Sequence, residues 1–286
     1  MFKLIYDKRY QNQIYTKYGI VFPEEDCLFV NKNIFCIADG VTRDLIGGEI
    51  KPYPKTREEA EYIANHYPNP SGAYQASKII VNSFVEYIKE LSINNEISEN
   101  LIRDAIKKTN EKVWEINKGR NIDYVGEDLY CSEAVGGVIL DDFLYCFGIG
   151  DCFVKAYDDN FNEIFSTEND HEWMERFEND YLKSGEYNWM NPKYRLLIRG
   201  ALRNNYIITY KGEKVGYGAL TGEERALEFV KIYRVSLNNV KYIVAFSDGS
   251  LPYFENVIEA KKTLNNPDRI KEDGSERTLI IYEKIN

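Results

Sequence analysis

A layered α+β fold is what the order of patterns in this chain predicts. Strand-like segments come first, two long amphipathic helices follow, and strands return, without the alternation of βαβ units. A second observation concerns where the strands stop. Ile34 to Ala38 runs into Asp39-Gly40, Phe143 to Phe147 into Gly148-Ile149-Gly150-Asp151, and Tyr242 to Phe246 into Ser247-Asp248-Gly249. An apolar run halted in this way reads as a buried strand delivering a carboxylate into a tight turn. With Glu24-Glu25-Asp26 ahead of the apolar stretch Cys27 to Val30, these turns gather carboxylates at one edge of a β-core.

The elements follow in order. Tyr15 to Val21 alternates weakly, and Cys27 to Val30 and Ile34 to Ala38 form the two legs of a hairpin around Asn31-Lys32-Asn33. A looser, proline-bearing segment then carries a short helix around Glu58 to Asn65. Ala76, Ile80, Phe84, Ile88 and Leu91 recur at helical spacing and make one apolar stripe. A second helix, opened by Ser98 as N-cap, places Leu101, Ile102, Ala105, Ile106, Val113 and Ile116 on one face and ends at Gly119. The short connection through Asn94-Asn95 makes the two helices antiparallel neighbours.

The period then returns to two. Ala134 to Leu140 and Phe143 to Phe147 flank Asp141-Asp142 as a hairpin, and Cys152 to Tyr157 continues as a strand. Residues 158–195 are polar and aromatic without a clean period, which reads as an insertion or flap in which His171 and Trp173 are structural or solvent-facing. Strands resume at Tyr206 to Tyr210, Glu228 to Val235 and Tyr242 to Phe246, then a helix around Phe254 to Leu264 and a last strand, Thr278 to Tyr282. Residues 1–286 are expected to form a single domain.

Composition excludes several classes of function. A formal net charge of −10 and 29% charged residues leave no net basic surface for nucleic acid. No apolar run approaches the ~20 residues of a membrane span, and Met1-Phe2-Lys3 opens no signal peptide, so a cytoplasmic location is expected. Five cysteines without a C-x-x-C pair read as small core residues in a reducing compartment. Two histidines leave little for a zinc site or a Ser-His-Asp triad.

The remaining chemistry is that of hard oxygen ligands. An ionised carboxylate taken out of water without a partner costs on the order of several kcal/mol, so a cation belongs among them. Carboxylates without thiolate or imidazole favour Mg²⁺ or Mn²⁺. An Asp followed by Gly supplies an oxygen and a sharp turn that exposes the glycine carbonyl. Two such metals a few Å apart activate a bridging water and neutralise a phosphoryl group, the help that phosphate-monoester hydrolysis needs most.

The ordered set of motifs resembles the metal-dependent protein phosphatases of type 2C, and bacterial members in particular. The set comprises Glu25-Asp26, Ala38-Asp39-Gly40, Cys131-Ser132-Glu133-Ala134-Val135-Gly136-Gly137-Val138, Gly148-Ile149-Gly150-Asp151, Phe246-Ser247-Asp248-Gly249 and Ser275-Glu276-Arg277-Thr278-Leu279. Tyr217 to Gly222 looks like the approach segment of bacterial members. The likeness spans nearly the whole chain, although no single motif is specific. It implies a four-layer α-β-β-α sandwich, two stacked, mostly antiparallel sheets flanked by helices. It implies a serine/threonine phosphoprotein phosphatase in which metal-activated water attacks the phosphate monoester in line. Two Mn²⁺ or Mg²⁺ per chain are implied, with a weaker third. Asp39 would bridge two metals, Glu25 and the Gly40 carbonyl would complete one, Asp248 would hold the other, and Asp151 with Asp248 would form the third. Asp39 and Asp248 are thereby the implied catalytic residues.

Three positions depart from the family pattern. Its last aspartate falls at Ser275, with Glu276 or Asp273 as substitutes. Its phosphate-gripping arginine falls at Val21, leaving Arg43 or Lys17 as stand-ins. Val41 stands where eukaryotic members carry a histidine, which many bacterial members also lack. Ser275 keeps open a pseudophosphatase that retains the fold as a binding module. The 158–195 segment, as a lid, keeps open a hydrolase of small phosphate esters.

Overall fold

The computed structural model describes residues 1–10, 18–41, 45–46, 49–50, 54–93, 96–122, 129–172, 204, 208–210, 212–270 and 276–285. Strand β1 (Phe2–Tyr10) is followed by the hairpin β2 (Cys27–Val30) and β3 (Ile34–Gly40), then by the two-residue strands β4 (Leu45–Ile46) and β5 (Glu49–Ile50). Helices α1 (Arg57–His66), α2 (Gly72–Ser92) and α3 (Glu99–Asn117) precede β6 (Ser132–Leu140), β7 (Phe143–Ile149), β8 (Phe153–Tyr157) and β9 (Glu163–Ser166). A small ribbon of β10 (Ile208–Tyr210) and β11 (Glu213–Val215) follows, then β12 (Lys231–Ser236), β13 (Tyr242–Phe246), α4 (Val257–Asn265) and β14 (Arg277–Lys284).

Two five-stranded sheets carry the molecule, ordered β1-β14-β13-β8-β9 and β12-β7-β6-β3-β2, and all their pairings are antiparallel. Their facing sides share a dry core that includes Phe35, Val135, Cys146, Val154, Ala245 and Ile280. The stripes of α2 and α3 cover the outer face of the second sheet, through Ile80, Phe84, Ile102, Ile106 and Val113 against Phe147. Phe254, Ala260 and Leu264 cover the outer face of the first sheet. Each fully buried side chain of this kind contributes roughly 1.5–3 kcal/mol, so the four layers hold one another in place. The expected four-layer sandwich is therefore observed.

Local chemistry accounts for the element boundaries. Asn31 Oδ1 accepts from the N–H groups of Asn33 and Ile34 (2.8 and 2.7 Å), which closes the β2–β3 turn. Asp141, at φ 50°, makes the two-residue turn of the β6–β7 hairpin. Ser71 and Ser98 cap α2 and α3 by accepting from Tyr74 and Leu101 N–H.

Three expectations change. Strand β1 emerges where the charges of Lys3, Asp7, Lys8 and Arg9 obscure the alternation; it lies at a sheet edge and is held by pairing with β14. The described part of Tyr15 to Val21, from Tyr18 onward, is a turn and a single bridge residue rather than a strand. The start of the 158–195 segment is not a flap, because β9 pairs with β8 and extends the first sheet. Residues 173–195 lie outside the described residues, as do 94–95 in the α2–α3 connection.

Candidate metal centre

The sandwich brings one end of several strands together. Asp39 sits at the end of β3 directly opposite Glu133, the second residue of β6. Asp151 follows β7 in the turn to β8, Asp248 follows β13, Glu276 immediately precedes β14, and Glu25 and Asp26 immediately precede β2. The four acidic sites singled out in the sequence, Glu25, Asp39, Asp151 and Asp248, thus converge with three further carboxylates. Lys17, Arg43, Asp273 and Ser275 lie outside the described residues.

One flank is organised by hydroxyls and amides. Glu25 is buried, and its Oε1 accepts from Tyr67 Oη (2.7 Å) and Ser71 Oγ (2.5 Å). Asp26, also buried, accepts through Oδ2 from Thr278 Oγ1 (2.7 Å) and Ser247 Oγ (2.8 Å). Its other oxygen, Oδ1, is buried without a hydrogen-bond partner among the described residues. Glu276 Oε1 accepts from the backbone N–H groups of Glu25 and Asp26, both at 2.7 Å. The expected substitution by Glu276 is thus half realised: its carboxyl joins the cluster, with one oxygen engaged by backbone amides.

The other flank contains a histidine. Glu133 is 4% exposed; its Oε2 accepts from Asp151 N–H (2.6 Å) while its Oε1 lies 3.0 Å from His171 Nε2. The second ring nitrogen, Nδ1, lies 3.4 Å from Asp151 Oδ2. Asp170 fixes the turn that presents this ring, accepting from Gly150 N–H (3.1 Å) and donating its own N–H to the Gly150 carbonyl (3.3 Å). Tyr217 packs against the imidazole at 4.5 Å between centroids. Gly150 adopts φ +80°, and a Cβ there would collide with the Glu133 carboxylate, so only glycine serves. His171, expected to be structural or solvent-facing, is instead part of the acidic centre.

Gly40 plays a different part from the turn former anticipated in the sequence. It remains within β3, paired with Ser132, and a Cβ would come within 2.9 Å of Glu25 Cβ, Glu25 O and Ala73 Cβ. Its lack of a side chain lets the Glu25 backbone and the start of α2 press against the strand end. Val21, at the arginine position, is 42% exposed.

Electrostatics record the crowding. Burial, and then the charges of Asp26, Asp248 and Asp151, hold Asp39 well above the usual carboxylate range. Burial pushes Asp26 up to about 6, and burial followed by the Asp26 charge pushes Glu276 up to about 9. Asp248 is exposed to solvent at the start of the turn after β13, with protein close around its carboxyl. Desolvation and then Asp151 bring it up to about 7. Asp151 is raised by burial and by Glu133. On the histidine flank, burial opposes the His171 charge, but Glu133 and Asp151 overcome it and raise the ring to about 10. Burial would likewise raise Glu133, yet His171 holds it below its ordinary value.

This donor set fits divalent cations. Oxygens of Asp39 and Asp151 lie within 4.8 Å of each other and of Cys152 Sγ, and the orphaned Asp26 Oδ1 is a buried acceptor awaiting a positive charge. Burial pushes the Cys152 thiol well above its ordinary value, which keeps it protonated and leaves the hard oxygens as the ligands.

Sequence reasoning had passed over Asp26 as a ligand in favour of Glu25, and had missed Glu133 and His171. A signal existed for Glu133, a single acid opening an otherwise apolar strand. None existed for His171, whose surroundings have no periodicity.

Comparison with known proteins bears on this geometry. No protein-family model matches the chain, and no curated protein matches it. Solved structures do match over its full length. The serine/threonine phosphatase PstP/Ppp of Mycobacterium tuberculosis superposes with a TM-score of 0.56 at 12% identity, covering 100% of this chain and 99% of that one. The serine/threonine phosphatase Stp1 of Staphylococcus aureus gives 0.55 at 13% identity, covering 100% and 96%. A catalytic domain of PstP in complex with two manganese ions gives 0.53 at 12% identity, covering 100% and 99%. The chain therefore has the fold of the bacterial metal-dependent Ser/Thr phosphatases, an α+β sandwich, as the resemblance in its motifs implied.

Proposed function

We propose that this chain is a metal-dependent phosphoprotein phosphatase, a hydrolase of phosphoserine or phosphothreonine monoesters. The observation that carries the reading is the meeting of Asp39, Asp248, Asp151, Glu25 and Asp26 at one strand edge of this fold. Two Mn²⁺ or Mg²⁺ would be held by Asp39, Glu25, the Gly40 carbonyl and Asp248. Asp26 and Glu276 support them. When bound, such ions supply an activated water and neutralise the phosphoryl charge.

The chain's own residues do the rest. Tyr67 and Ser71 orient the Glu25 carboxylate, and Ser247 and Thr278 pin one oxygen of Asp26. Arg43, just beyond the Asp39-Gly40 strand end, and Lys17 are the proposed cations for the substrate phosphate. A single domain over residues 1–286 is supported by the pairing of β1 with β14, which ties both termini into one sheet. A cytoplasmic setting is supported by five cysteines that all serve as buried residues of the core. No helix among the described residues is long and apolar enough to cross a membrane. The net charge of −10 speaks for a protein partner over nucleic acid.

The test is hydrolysis of p-nitrophenyl phosphate and of a phosphothreonine peptide by purified protein, with Mn²⁺, with chelator, and with Asp248→Asn. The expected result is Mn²⁺-dependent turnover that the chelator and the substitution both remove. Absence of turnover at every Mn²⁺ concentration, from folded protein, overturns the reading.

A further inference from the structure

Two serines from other elements hold the main chain that carries Asp39 and Gly40. Ser132, fully buried at the first position of β6, donates from Oγ to the Asp39 carbonyl (2.6 Å). The Glu133 carbonyl, 2.9 Å from the same Oγ, is the longer of the two acceptors open to that proton. Ser77 of α2, also fully buried, donates to Ser132 Oγ (3.0 Å), with the Ala73 carbonyl as its other acceptor (3.1 Å). A hydroxyl offers one proton and two lone pairs, so Ser77 donating to Ser132 and Ser132 to Asp39 satisfies both groups in one direction. The next peptide is fixed as well. Val41 N–H donates to the Cys131 carbonyl (3.1 Å), and across that planar trans peptide the Gly40 carbonyl points away from Cys131. Helix α2 thus meets the centre twice, at Glu25 through its N-cap Ser71 and behind Asp39 through Ser77. Alanine at position 77 or 132 would bury no polar group, so the two hydroxyls are there at a cost that their bonds must offset.

We propose that Ser132, backed by Ser77, is a positioning residue that fixes the Asp39–Gly40 main chain, and with it the Asp39 carboxylate and the Gly40 carbonyl. Gly40 and Ser132 form the last pair of the β3–β6 ladder, and a strand end is where pairing opens most readily. The serine hydroxyl adds a bond at that last rung, from a side chain that α2 itself holds in place. A ligand constellation works only when its oxygens are held to within about 0.5 Å, which a fraying strand end does not provide. The inference rests on the proposed metal-dependent reading for what those two oxygens bind, and on the hydroxyl chain alone for how they are held.

The experiment uses Ser132→Ala, Ser77→Ala and the double variant, with two readouts. In metal-free protein, amide hydrogen exchange at Gly40 and Val41 is expected to quicken about 10-fold in Ser132→Ala and less in Ser77→Ala, while the amides of β13 keep their protection. By calorimetric titration, the Kd for Mn²⁺ is expected to rise about 10-fold in Ser132→Ala and less in Ser77→Ala. The double variant should bind no more weakly than Ser132→Ala alone, because Ser77 acts through Ser132. Unchanged exchange at Gly40 and Val41 in Ser132→Ala overturns the inference. So does a lowered Tm with an unchanged Kd, which is what a merely structural hydroxyl would give, and so do additive losses in the double variant. Should Ser132→Ala not fold, Ser77→Ala removes only the outer hydroxyl and carries the same two readouts. A wild type that binds no Mn²⁺ overturns the proposed phosphatase site instead, and the metal-free exchange then decides the positioning by itself.

Discussion

The two flanks of Asp39 solve one electrostatic problem in opposite ways. On the Glu25–Asp26–Glu276 flank, hydroxyls and backbone amides hold the carboxyl groups, which fixes their orientation without adding a counter-charge. On the Glu133–Asp151 flank an imidazole lies within reach of both acids. The consequence shows in the protonation equilibria: Glu276 is pushed up to about 9 by burial and its acidic neighbours, whereas equally crowded Glu133 is held down by His171. Neutral donors orient a carboxylate without adding charge, whereas the imidazole lies within reach of two acids at once.

The largest expected effect breaks this contrast at its centre. Asp39→Asn should lower kcat/KM for Mn²⁺-dependent p-nitrophenyl phosphate hydrolysis by about 10³-fold or more, while Glu133→Gln should cost only ~10–100-fold, as expected of a residue that acts by positioning others. Steady-state kinetics on both variants decide it, and equal losses would erase the distinction between the flanks.

Gly150→Ala attacks the histidine flank through the backbone. With φ at +80° and a Cβ driven into the Glu133 carboxylate, the substitution should destabilise the protein by roughly 2–3 kcal/mol, measured by urea unfolding. Ser71→Ala attacks the other flank more gently. Losing one of two hydroxyl donors to Glu25 should weaken Mn²⁺ binding by about 10-fold, read by calorimetric titration, with only ~1 kcal/mol lost in stability.

The smallest effect is a pH profile. Asp26, Asp248 and Glu276 are raised to about 6, 7 and 9, so the folded metal-free protein holds more protons than the unfolded chain above about pH 4. His171, raised to about 10, does the same above its ordinary value near 6.5. Both terms have the same sign, so stability should fall steadily as pH rises from about 4 to about 10. Saturating Mn²⁺ should flatten the carboxylate part of that fall. Thermal melts across pH, with chelator and with Mn²⁺, measure it; a metal-free Tm that climbs with pH over this range contradicts the assigned shifts.

Much of this architecture was written locally. The hairpin around Asn31 to Asn33, the N-caps at Ser71 and Ser98, the stripes of α2 and α3 and the strands that stop at Asp39, Asp151 and Asp248 all follow from period and turn chemistry within a few residues. The same local logic located Asp39, Asp151 and Asp248, because an apolar run that halts on an acid is visible without a partner, and the acidic cluster ahead of β2 located Glu25. It failed at β1, where a strand at the sheet edge can carry Lys3, Asp7, Lys8 and Arg9 and owes its place to β14, far along the chain.

By itself, then, the sequence determined the layers and the acidic character of their shared edge, since burial periodicity and turn propensity act over short range. Tertiary structure alone decided how those acids are held. Glu276 reaches the amides of Glu25 and Asp26 from the far end of the chain, and His171 reaches Glu133 from the turn beyond β9. Such pairings depend on which strand ends the stacked sheets bring together, and the charge that each carboxylate keeps or loses there is a property of the assembled edge.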